Sequence, residues 1–296
     1  MKKILICLIC LVTLCGCAPA KAQTQGGRIT VVTTVFPLYD FARAVGGDNI
    51  DLKMLIRPGT EVHSYDPLPS DMAAVSDCDA FIYIGGESDT WVKNLLETSN
   101  INSLALINEV EPIHEEEHHH HSGDEHIWTS PKNAVLMVES ICDFLCEVDY
   151  ENASKFKENS RNYIKKISDA SKEIKKVVSA KDAPFILIAD RFPFAYLAHE
   201  YGIEYEAAFG GCATSTDISL KTMSHLTEVI NARGVKTIFC TEMSNRNIAD
   251  ALSNQTGVKV LELHSAHNVT LDDFESGITY VDILYQNLEA LKEGLS

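Results

Sequence analysis

Residues 155–178 contain neither Gly nor Pro and carry Phe156, Tyr163, Ile164, Ile167, Ile174, Val177 and Val178 at mostly helical spacing among Lys, Glu, Ser and Asn. That pattern predicts one long helix of ~36 Å at a rise of 1.5 Å per residue. The texture on its two sides is the same: short β-branched apolar runs separated by helical stretches. Before it, strand-like residues 29–35, 52–56, 81–84 and 104–107 alternate with helical residues 37–45, 70–75 and 90–96. After it, residues 185–189, 237–240 and 259–263 alternate with helices at 194–199, 220–232 and 245–255, and residues 280–292 form a closing helix. Strands separated by helices build parallel sheets with helices on their faces. The chain is thereby held to an α/β class: two Rossmann-like α/β lobes joined by one long helix. Ligands of such sheets bind at the carboxyl ends of the strands, which here places a site in the cleft between the lobes.

The first residues set the address. Lys2 and Lys3 precede an apolar run over residues 4–14, the layout of a secretory signal and too short for the ~20 residues of a membrane span. Leu14-Cys15-Gly16-Cys17 resembles the lipobox of bacterial lipoproteins, which implies lipidation at Cys17. The small polar residues 18–28 suit a flexible tether. The expected plan is a signal at 1–17, a tether at 18–28, an amino-terminal lobe at 29–149, a linker helix at 150–180 and a carboxy-terminal lobe at 181–296. The expected location is extracytoplasmic, anchored to the cell membrane through the lipid.

Function enters through charge and histidine. A formal charge of −17 argues against nucleic-acid binding, which needs a basic face, and favours attraction of cations. Six of the eleven histidines fall in residues 114–126, interleaved with carboxylates, and imidazole with carboxylate is a ligand set for divalent transition metals. Within that tract His114 and His118, His119, His120 and His121 form an auxiliary capture loop. His126 closes it and stands just before Ser130-Pro131, an N-cap and first-turn proline that start a helix. His63 lies on a loop stiffened by prolines directly after a strand. The cysteines outside the leader (Cys78, Cys142, Cys146, Cys212 and Cys240) are odd in number and lack zinc-ribbon spacing; Cys142 and Cys146 share a helical face and pack as small apolar residues.

Two segments carry a resemblance. His63-Ser-Tyr-Asp-Pro-Leu-Pro-Ser-Asp71 resembles an HxYxPxPxD motif, and Asp124-Glu-His126-Ile-Trp-Thr-Ser-Pro-Lys-Asn-Ala134 a second-ligand motif, of the ZnuA/TroA-like solute receptors of zinc and manganese ABC transporters. The resemblance covers essentially the whole chain after the tether. It implies a bilobed receptor that holds one metal ion in the cleft and delivers it to a membrane permease, with His63 and His126 as amino-lobe ligands.

The carboxy-terminal lobe departs from the family pattern. The residue ten before Tyr201-Gly202, a histidine in zinc members, is Arg191, which cannot deprotonate to bind a metal. His264, at a strand end where the family places its last ligand, is the first candidate to replace it. Glu242 is the second, although it could instead pair with Arg191. His267, Asp190 and Cys212 are assigned to structure or to supporting hydrogen bonds. A set of His63, His126 and His264 suits Zn2+, which takes tetrahedral nitrogen ligands, better than Mn2+, which prefers oxygen. A manganese receptor or a surface adhesin remains an alternative. A zinc hydrolase is the least supported, because no His-Glu-x-x-His helix or comparable catalytic cluster is present, so the chain is expected not to be an enzyme. The expected partners are the permease, the metal ion and the membrane, with the protein a monomer.

Overall fold

The computed structural model describes residues 27–113, 124–211 and 218–295. The chain opens with β1 (Ile29–Thr33), α1 (Phe36–Gly46) and β2 (Ile50–Met54), followed by α2 (Pro69–Asp77), β3 (Ala80–Tyr83), α3 (Thr90–Thr98) and β4 (Ser103–Ala105). Two long helices follow, α4 (Pro131–Val148) and α5 (Ala153–Val178). The second half runs through β5 (Phe185–Phe192), α6 (Ala195–Tyr201), β6 (Glu204–Gly210), α7 (Leu220–Arg233), β7 (Thr237–Cys240) and α8 (Asn247–Thr256). It closes with β8 (Lys259–Glu262), α9 (Leu271–Ser276) and α10 (Tyr280–Gly294). No helix among the described residues is long and apolar enough to cross a membrane.

Both sheets are parallel and have the same topology, β2-β1-β3-β4 and β6-β5-β7-β8. In each, the central strands are apolar on both faces, as the period of two in a covered parallel sheet requires. Along β5, Ile186 and Ile188 enter one core while Phe185, Leu187 and Ala189 enter another under α7 and α8. Along β1, Val31 and Val32 divide in the same way.

The inner core does not stop at the lobe boundary. Val31, Ala80 and Ile82 of the first sheet belong to the same buried cluster as Ile186, Ile188 and Phe239 of the second, bridged by side chains of α1, α4, α5 and α10. Phe156, Tyr163, Ile167, Ala170, Ile174 and Val178 form the buried stripe of α5. A buried carboxylate stitches the same junction. Asp40 of α1 accepts hydrogen bonds from Tyr163 Oη of α5, from the Tyr280 N–H of α10 at 2.8 Å and from Arg43 Nη2 at 2.5 Å. Burial pushes its carboxyl above the usual range, while Arg43, Tyr163 and Tyr280 pull the other way.

Two elements lie where the sequence pattern is weak. Strand β6 is an edge strand of sequence Glu-Tyr-Glu-Ala-Ala-Phe-Gly, poor in β-formers, and takes its shape from pairing with β5. Helix α9 is only six residues long, set by Thr270, whose side chain accepts the Asp273 N–H.

Candidate metal centre

The amino-terminal lobe supplies its two histidines from loops fixed by nearby residues. His63 follows β2 on a loop whose remaining motif residues shape it. Tyr65 Oη donates to Asp71 Oδ2 at 3.0 Å, and the same oxygen accepts the Leu68 N–H at 3.1 Å, just before Pro69 begins α2. Gly59, at φ 76°, turns the loop and donates its N–H to Val269 O across the cleft at 2.8 Å. His126 is 0% exposed. Asp124 Oδ1 accepts its backbone N–H at 2.7 Å and lies 2.7 Å from its Nδ1. A carboxylate on Nδ1 fixes the proton there and makes Nε2 the nitrogen with a lone pair to offer, the usual arrangement behind a metal-binding imidazole. Glu125, next in sequence, accepts from Ser88 N and Oγ and ties this segment to the loop after β3.

The third imidazole is His267, on the turn after β8. Its ring centroid lies 5.0 Å from that of His63 and 5.0 Å from that of His126, which are themselves 5.6 Å apart. One potential ligand atom from each of the three falls within 4.8 Å of those of the other two. The Trp128 ring packs against both His126 and His267. All three nitrogens are within reach of a single ion after small side-chain rotations, given bonds of ~2.0–2.1 Å.

Two of these imidazoles, His63 and His267, are held neutral. Burial lowers the pKa of His63 to about 4, helped by His126 and Arg191 nearby. His267 is pushed well below its ordinary value by burial, then by His126, His63 and Arg191. A proton must leave before a metal can bind, so an imidazole already kept neutral concedes little to the exchange.

The cleft is a cavity of about 560 Å³ lined in part by Thr60, Glu61, Asp190, Arg191, Glu242 and Asn247. Arg191 Nη1 lies 3.2 Å from Glu61 Oε2, an ion pair that joins the two walls. Glu61 also accepts the His63 N–H at 3.2 Å. Asp190 accepts from the Arg191 N–H at 2.8 Å and from Thr241 Oγ1 at 2.9 Å.

The two carboxy-lobe candidates from the sequence occupy different posts. Glu242 lines the cavity and is held by Ser265: its oxygens accept the Ser265 N–H at 2.7 Å and the Ser265 hydroxyl at 2.5 Å, and its Oε2 lies 3.6 Å from His264 Nδ1. His264 is 7% exposed and stands apart from the three clustered imidazoles. Its Nδ1 accepts the Ala266 N–H at 2.9 Å, so that nitrogen is turned to the backbone of its own turn and away from the cluster. Strand β8 ends at Glu262, which leaves Leu263 and His264 still directed into the interior while the following turn faces the cleft. Residues His114, His118, His119, His120, His121, Cys17 and Cys212 lie outside the described residues. The four described cysteines form no disulfide; Cys142 lies within the α4 core face beside Cys146.

Residues 31–294 match the family described as "Zinc-uptake complex component A periplasmic", ZnuA. The chain belongs to the ZnuA family. Over 309 residues it is 32% identical to the "Zinc-binding lipoprotein AdcA" of Streptococcus pneumoniae (strain ATCC BAA-255 / R6), a match covering 99% of this chain and 61% of AdcA. The chain thus spans about three fifths of that relative. It is 30% identical over 301 residues to the "High-affinity zinc uptake system protein ZnuA" of Bacillus subtilis (strain 168), covering 96% of this chain and 94% of that protein. Among solved structures, the Zn(II)-bound ZnuA-like domain of Streptococcus pneumoniae AdcA is similar at a TM-score of 0.79 and 29% identity, over 90% of this chain and 99% of that one. The two-lobed parallel-sheet architecture is shared with this ZnuA-like domain.

Proposed function

We propose that this ZnuA-family chain is an extracytoplasmic receptor that captures Zn2+ in the inter-lobe cleft and delivers it to an ABC permease. The ligands in this reading are His63, His126 and His267, with water or a neighbouring carboxylate completing the shell. One observation carries it: three imidazoles from separate loops of both lobes converge with their ligand atoms within 4.8 Å, in a pocket that keeps at least two of them neutral. Three imidazole nitrogens favour zinc over manganese, whose preference is for oxygen. The zinc named in both relatives and in the solved domain supports the same cargo. Cys17 holds the receptor at the membrane through a lipid, the protein works as a monomer, and the histidines of residues 114–121 collect zinc weakly ahead of the cleft.

Titration calorimetry on protein lacking residues 115–122 tests this. One tight zinc per chain is expected, with manganese clearly weaker. Saturating zinc at a thousandfold excess over Kd raises stability by about 4 kcal/mol. Loss of the tight site with the tract, or tighter binding of manganese, would refute the assignment.

A further inference from the structure

We infer that Glu242 and His264 are positioning residues that aim His267 at the metal and do not bind it themselves. The inference rests on the three-histidine reading above. It comes from how the turn carrying His267 is held. Ala266 sits at φ 61°, a left-handed conformation that an alanine keeps only where its surroundings impose it.

The surroundings are side chains. The His264 N–H donates to Asn287 Oδ1 at 2.8 Å, the Ser265 N–H to Glu242 at 2.7 Å, the Ala266 N–H to His264 Nδ1 at 2.9 Å, and the His267 N–H to Ser265 Oγ at 3.2 Å. Four consecutive backbone donors are therefore met by side chains, and none by the backbone of a neighbouring strand or helix. The carbonyls of the same turn follow suit: Asn287 Nδ2 donates to His264 O and Trp128 Nε1 to Ser265 O, both at 2.8 Å. Buried donors left unmatched are costly, so the turn has one shape in which every donor is satisfied.

Glu242 is the hinge of this frame. It holds Ser265 through both backbone and hydroxyl, and that hydroxyl oxygen in turn receives the His267 N–H. His264 contributes an acceptor for the strained residue itself. Asparagine can do the same work for an N–H two residues on, whereas alanine cannot. A ligand role and a positioning role thus make opposite predictions for His264→Asn.

The test uses the purified full chain with zinc chloride and cobalt chloride as probes. The first-equivalent affinity is read by chelator competition and the coordination set by the visible d–d bands of bound cobalt. His264→Ala and Glu242→Ala should each weaken the first site about tenfold to a hundredfold, the usual cost of losing an orienting partner, with the cobalt bands unmoved. His264→Asn and Glu242→Gln should recover most of the loss. If His264→Asn binds as poorly as His264→Ala, or its cobalt bands shift, the imidazole is a ligand and the inference falls. It falls equally if both alanine variants bind like the unaltered protein. Where an alanine variant does not fold, as judged by melting in chelator, the asparagine and glutamine variants decide alone by the same criteria. Failure of the unaltered protein to bind one ion tightly would refute the three-histidine reading instead.

Discussion

The two walls of the cleft hold their imidazoles by different means. On the amino-terminal side the supports are close in sequence: Asp124 grips His126 from two residues away, and Tyr65, Asp71 and Pro69 shape the loop of His63 within eight positions. On the carboxy-terminal side His267 depends on Glu242, Asn287 and Trp128, each brought from another element. Short-range supports form as soon as their loop does. Long-range supports exist only once both lobes are assembled, so the third imidazole is correctly placed only in the finished fold.

The largest test of that contrast removes one imidazole from each wall. His126→Ala and His267→Ala should each weaken zinc binding by more than about a hundredfold, since a zinc site with two protein ligands is incomplete. Chelator competition reads both, and retained affinity in His267→Ala would mean that the carboxy-terminal wall contributes no imidazole. A smaller effect sharpens the amino-terminal side. Asp124→Asn keeps an acceptor for His126 but discards its charge, and about a tenfold loss is expected in the same assay. An unchanged constant would show that His126 needs no carboxylate behind it.

Proton linkage tests both walls together without metal. Unfolded histidines take up protons near pH 6.5, whereas folded His63 resists until about pH 4 and His267 is displaced in the same direction. Between those values the unfolded state binds more protons, so the stability of chelator-treated protein should fall as the pH is lowered from about 6.5 towards 4. Urea midpoints at several pH values measure the slope, and His63→Asn or His267→Asn should flatten it. A wild-type slope unchanged in both variants would show that neither imidazole is held neutral. The smallest effect belongs to the ion pair between the walls. Arg191→Gln removes a fixed cation from a cleft that receives a dication, and zinc affinity should rise by less than about tenfold and shrink with added salt. A fall in affinity would show that pairing Glu61 matters more than the repulsion.

The same contrast explains what could be read in the linear chain. The parallel sheets and the bridging helix were legible because apolar periodicity is a local signal, and the loops of His63 and His126 because their supports sit beside them as motifs. Strand β6 was not legible: its glutamates and alanines disfavour a strand, and β5 overrides them. His267 stood three positions past the residue that strand-end reasoning chose, and the partners that turn it into the cleft are twenty or more residues away or, for Trp128, in the other lobe. One local sign existed. A second histidine three residues after His264, beyond the last strand-like residue, is better placed to face a cleft than one still attached to the strand.

The buried cluster that runs from the first sheet through α1, α4, α5 and α10 into the second has a thermodynamic meaning. Two bodies that share one interior cannot lose it separately, because melting either exposes apolar surface of the other. A molecule bilobed in outline is thereby expected to unfold as one unit, and an ion held by the three imidazoles of the proposed site would stabilise both lobes together.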